Sequence, residues 1–145
     1  MTQDEILAME AGRGIDALIA EKVMGWRMVN HADWPEGTLI RDYHHRIEWY
    51  APGMKEEPGA LGAGLESCMV PRYSTDIAAA WDVVYKMIAM GHSISIADND
   101  GRYWGVDFYR MRDEAAFDAL STANALSPEL AICRAALLAV METEL

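Results

Sequence analysis

PRYSTDIAAAWDVVYKMIAMGH (residues 71–92), followed by SISIADNDGRYWGVDFYR (93–110), is the stretch whose reading decides the fold. Ile77, Trp81, Val84 and Ile88 recur at spacings of four, three and four, which puts them on one helical face and predicts that face as the buried one. Asp82 and Lys86 form an i,i+4 pair on the solvent side. Ser74 or Thr75 is placed to cap the helix start, and Gly91 to end it in the left-handed conformation. Ile94 and Ile96 then alternate with Ser93 and Ser95, Asp98-Asn99-Asp100-Gly101 supplies turn residues, and Trp104, Val106 and Phe108 alternate with Tyr103, Asp107 and Tyr109. A helix feeding a β-hairpin is a nucleus for an α/β domain. One hairpin face (Ile94, Ile96, Trp104, Val106, Phe108) reads as core. The other, with Ser93, Ser95, Tyr103, Asp107 and Tyr109, meets water, a further helix or a ligand.

Toward the N-terminus, Thr2 and Glu5 have the spacing of a capping box, and Ala8, Ala11, Ile15, Leu18, Ile19, Val23 and Trp26 continue a helical stripe to about Gly25. Gly12 and Gly14 interrupt it, and close approach of another element explains them better than a ligand, because the G-R-G triplet follows no strand. Toward the C-terminus, Ser127-Pro128-Glu129 opens a helix with a serine cap and proline at the first position. Its apolar residues cover almost the whole circumference around Arg134, which predicts burial on more than one side and makes Cys133 a core hydrophobe. Residues 113–120 read as either a short helix or an irregular connection. Residues 36–70 are an irregular, loop-rich insertion with a half-buried strand over 44–50, a second short strand near Cys68 to Val70, and a proline- and glycine-rich loop between them.

At 145 residues, the chain is read as a single domain able to bury about two-thirds of its unfolded surface. Its formal net charge of -11 opposes binding to DNA, RNA or an anionic membrane. Two cysteines form no disulfide framework, the first residues have neither basic charge nor an apolar run for export, and no apolar stretch approaches the ~20 residues of a membrane span. A soluble protein of a reducing cytoplasm is expected.

Five strings resemble one family: M-E-A-G-R and D-A-L-I-A-E-K-V-M-G-W in the first helix, P-R-Y-S-T-D-I-A-A-A-W at the central helix, the W-G-V-D-F strand, and A-I-C-R-A-A-L-L-A-V near the end. Together they are similar to phage ABA sandwich domain proteins, over residues 1–34 and 71–142. The resemblance implies a three-layer α-β-α sandwich, an α/β (α+β) fold with a small, largely antiparallel sheet between helices, over residues 1–145. It also implies a phage or prophage origin and carries no catalytic residues across. Phage accessory proteins of this size are often counter-defence factors, and some unrelated ones sequester nucleotide immune signals, an analogy of context rather than of site.

No phosphate loop, dinucleotide fingerprint, nucleophile elbow or zinc signature is present, so no enzyme, cofactor or metal is expected. Asp42, His44, His45 and His92 are metal-capable but lack paired ligand spacing, and solvated histidines explain them. The candidate ligand site is the central helix start, where Tyr73, Ser74 and Thr75 would present amides to an anion. Arg72 and Arg102 would add charge there, and Trp34, Tyr103 or Trp104 would stack a base. Against it, Asp76 already complements the helix dipole, and Trp81 and Trp104 lie on faces predicted as core. The expected function is a non-catalytic accessory protein binding a small ligand such as a nucleotide signal. The alternative is a protein-binding inhibitor of a host defence protein, or a homo-oligomeric module; a homo-oligomer is expected in either case.

Overall fold

The computed structural model describes residues 1–30, 47–54, 70–113 and 116–143. In chain order the elements are α1 (Gln3–Ala8), α2 (Arg13–Lys22), β1 (Arg27–Asn30), β2 (Ile47–Tyr50), α3 (Ile77–Ala89), β3 (Ser93–Asn99), β4 (Tyr103–Asp113), β5 (Ala116–Ala125) and α4 (Pro128–Thr143). Strands β1 and β2 form an antiparallel ribbon, and β3-β4-β5 an antiparallel three-stranded sheet. The fold is mixed α+β, with helices packed on antiparallel sheet.

Helix α4 organises the core. It packs against β4 and β5 on one side and against α1, α2 and α3 on others. Ala131, Ile132, Cys133, Ala135, Ala136, Leu137 and Ala139 are all buried, as the all-round apolar pattern requires. Ser127 caps it, its Oγ accepting from the Leu130 amide at 3.2 Å. Burial pushes the Cys133 thiol far above its ordinary pKa, so it stays protonated and inert.

In the sheet, opposed residues share a face: Ile94 pairs Phe108, and Ile96 pairs Val106. Val106 in turn pairs Ala123, and Trp104 pairs Ala125. This face meets α4, as the hairpin's alternation predicts. Helices α3 and α4 both touch this sheet and each other, so they lie on the same side of it. The face that the sandwich expectation assigns to another helix carries Ser95, Ala97, Tyr103, Thr122 and Asn124, exposed among the described residues. The β3–β4 turn has Asp100 at φ 57° and Gly101 at φ 69°, a type I′ geometry that only such residues adopt readily.

Four sequence expectations are corrected. The first helix does not run to Gly25; the chain breaks after Ala8 and restarts at Arg13, with Gly12 at φ 154° as the residue before α2. Gly12 serves that break through its backbone conformation, with its amide held by a distant side chain. The second concerns residues 116–125: this segment is the strand β5, and β4 runs on to Asp113. Alanine, aspartate and asparagine are poor strand formers, and only burial of Ala123 and Ala125 under the alanine-rich α4 makes this a good edge strand. Third, Tyr50, at the end of the segment expected as a half-buried strand, is fully buried. Val70 is buried without belonging to a strand; the rest of the second expected strand and the loop at 55–69 lie outside the described residues.

The fourth correction is the face of α3. Ala79, Ala80, Val83, Val84 and Met87 are buried, whereas Ile77, Trp81 and Ile88 are exposed. Only Asp82 and Lys86 are polar in this helix, so two apolar stripes compete in the periodicity. Close packing chooses the narrower one: α3 meets an α4 surface rich in alanine, and small residues let the two backbones approach.

Candidate functional site

The segment before α3 is held by a buried polar junction. Asp16, on the inner face of α2 and 1% exposed, accepts through Oδ1 from the Ser74 amide at 2.8 Å and from Ser74 Oγ at 2.7 Å. Ser74 Oγ accepts in turn from the Gly12 amide at 2.9 Å. Arg13 donates to Asp16 Oδ2 at 3.1 Å and to the Val70 carbonyl at 2.6 Å. A carboxylate buried this deeply needs such partners, and here it receives a cation and two donors. The junction fastens the broken start of α2 to the turn before α3.

This geometry decides where the anticipated site residues stand. Ser74 is sealed in the junction and does not cap α3; Asp76 does, its side chain accepting from the Ala78 amide at 2.9 Å. The amides of Thr75 and Asp76 donate to the Arg72 carbonyl. The chain's own acceptors therefore occupy much of the expected anion site. Tyr73 is buried, and desolvation pushes its phenol up to about 12, with a hydrogen bond to Trp26 acting in the opposite direction. Arg72 and Thr75 are exposed, as are Arg102 and Tyr103 at the β3–β4 turn. Trp104 is half-buried against the core and, following Tyr103 in one strand, points to the opposite face of the sheet. Those two rings therefore cannot stack on one base. Trp34, Asp42, His44 and His45 lie outside the described residues.

Sequence reasoning missed Asp16, whose signal was a carboxylate on the same helical face as Ile15, Ile19 and Val23. It also missed Arg134, whose Nε and Nη2 donate to the Met9 carbonyl and whose Nη1 donates to the Asn124 carbonyl. His92 is buried beside the Phe108 ring, and its Nδ1 lacks a partner. Burial, reinforced by Arg110, lowers its pKa. Among the described residues no group of three His, Cys, Asp or Glu side chains is placed to hold a metal ion. An apolar cleft of about 160 Å³ between α1, α2 and α4 is lined by Ile6, Leu18, Leu137 and Val140, none of them an anticipated site residue. No described helix is long and apolar enough to cross a membrane.

Among the described residues, the outer side of α3 carries a contiguous exposed apolar surface. Ile77 is 48% exposed, Trp81 40%, Tyr85 59% and Ile88 48%. At i, i+4, i+8 and i+11 they form one ridge. Trp81 and Tyr85 stand edge to face with ring centroids 6.2 Å apart, which holds them pre-arranged.

The chain belongs to the phage ABA sandwich domain family, whose model it matches over residues 17–137. It is thus a phage-associated protein. No curated protein and no solved structure matches it.

Proposed function

We propose that this phage accessory protein is non-catalytic and works by contact with another protein chain through the outer face of α3. The observation that carries this reading is the ridge of Ile77, Trp81, Tyr85 and Ile88, exposed on a helix whose other side is fully engaged. The largest apolar patch on a small domain is often its functional surface, and tryptophan and tyrosine are enriched among the residues that dominate protein contacts. The test places a photo-reactive phenylalanine analogue at Tyr85 and, as control, at exposed Thr122 on the open sheet face. Irradiation in phage-infected bacteria is expected to yield a protein adduct from residue 85 only. Absence of any adduct from residue 85 defeats the reading.

A second reading, sequestration of a small nucleotide in counter-defence, draws on Arg102 beside Tyr103, both exposed at the β3–β4 turn, where a guanidinium and a phenol ring are free to meet a phosphate and a base. Native mass spectrometry of protein from bacteria with and without an active nucleotide-signalling defence tests it. A nucleotide-sized mass present only with the defence, and lost in Arg102→Ala, is the expected signature.

A further inference from the structure

We infer that the chain that docks on the outer face of α3 is a second copy of this protein, the two helices running antiparallel about a two-fold axis level with Val83. This rests on the reading of α3 as the contact surface and names its partner. A two-fold contact requires a patch complementary to itself. Reversing α3 about Val83 sets Trp81 opposite Tyr85 of the second copy and brings Ile77 within one residue of the second copy's Ile88, so the ridge meets its own reverse with aromatic on aromatic and aliphatic on aliphatic.

Charge agrees. Asp82 and Lys86 are both exposed along one flank of the ridge. A two-fold perpendicular to the helices keeps that flank on the same side in both copies, and Asp82 then lies within about two residues, or ~3 Å of helix rise, of the second copy's Lys86. The pair forms twice. The ridge itself carries no charge, so on a chain of net charge -11 two copies can meet there without setting like charges against each other across it. A basic partner would be drawn to the acidic surface instead.

Area sets the strength. At about 150–250 Å² per aromatic side chain, the exposed parts of Trp81 and Tyr85 alone present roughly 200 Å². With Ile77 and Ile88 the ridge reaches about 300–600 Å², the size of the largest patch on a typical monomer. Two such ridges, with their flanks, approach the ~1,200 Å² at which specific interfaces begin, which implies a reversible dimer rather than an obligate one.

Sedimentation velocity of the full chain from roughly 1 µM to a few hundred µM reads the equilibrium directly. The wild type is expected to pass from monomer to dimer over this range. Tyr85→Asp and Trp81→Glu each weaken the dimer by about a hundredfold or more, because each removes two copies of an aromatic anchor. Asp82→Lys and Lys86→Asp each weaken it about tenfold, and the two together restore it. Circular dichroism melts establish that each variant folds, and the charge variants alter only exposed side chains. A wild type that sediments as a monomer throughout overturns the inference, as does a dimer indifferent to Tyr85→Asp or a double charge swap that fails to restore association. A monomeric wild type with a host-protein adduct from residue 85 overturns the inference and leaves the contact surface standing; no adduct at all removes both.

Discussion

Arg134 and Met9, 125 residues apart, are joined by two hydrogen bonds to one acceptor: Nε and Nη2 of the guanidinium donate to the Met9 carbonyl at 3.0 and 2.6 Å. Met9 lies where α1 ends, and its carbonyl would otherwise be left unpaired at the break before α2. The third donation, to the Asn124 carbonyl at 2.8 Å, anchors β5 to the same side chain. The sole basic residue of α4 therefore holds the N-terminal break and the edge strand together.

Arg134→Ala is expected to destabilise the fold by about 1.5–3 kcal/mol, since it takes a charged donor from the part-buried Met9 carbonyl and cuts the link to the exposed Asn124 carbonyl. Arg134→Lys recovers only part of this, because an ammonium cannot reproduce the planar fork on Met9. Urea denaturation of the three proteins measures both effects; a lysine variant as stable as wild type would show that charge alone matters.

Asp16→Ala strips the buried junction of its acceptor and should cost about 3 kcal/mol or more, with Ser74→Ala costing about 1–2 kcal/mol. The double variant should cost less than the sum, by about 0.5–2 kcal/mol of coupling. Additive losses in a double-mutant cycle would mean that Ser74 and Asp16 act independently.

On α3 the two apolar faces should answer differently to truncation. Val83→Ala, at a fully buried position, is expected to lower stability by about 1–3 kcal/mol. Ile77→Ala, at a half-exposed one, should change it by less than about 0.5–1 kcal/mol. Thermal melts at one low protein concentration compare them, and the reverse ranking would restore the periodicity-based assignment of the core.

His92 supplies a pH dependence whose direction follows from its burial. Its folded pKa lies below the unfolded value of 6.5, so below that pH the unfolded chain binds the extra proton more readily. The contribution of neutral His92 is complete above about pH 6.5 and is lost as pH falls from there toward the depressed folded value. His92→Leu removes the titration and the unpartnered Nδ1 together. The variant should gain on wild type in chemical denaturation as pH falls through about 6.5; parallel pH profiles would sink the assignment.

Features with a local physical cause were legible in the sequence itself. The Thr2–Glu5 capping box is formed, Ser127 caps α4, Gly91 has positive φ, and the alternation over 94–108 names the buried face of the hairpin. Each depends on contacts within a few residues or on strict period-two burial. The all-round apolar α4 announced its own burial in the same way. The family strings led to the phage ABA sandwich domain.

What the tertiary structure alone decided are choices among locally equivalent options. Residues 77, 81, 84 and 88 make as good a helical stripe as 80, 83, 84 and 87, and only the alanine surface of α4 selects the second. Ser74, Thr75 and Asp76 can all cap a helix, but Asp16, 58 residues before Ser74, takes the serine away and leaves the cap to Asp76. Local sequence carries propensity and pattern; long-range packing and the pairing of buried polar groups decide which pattern is used. The same competition put the aromatic ridge of α3 outside, where it is free to meet another chain.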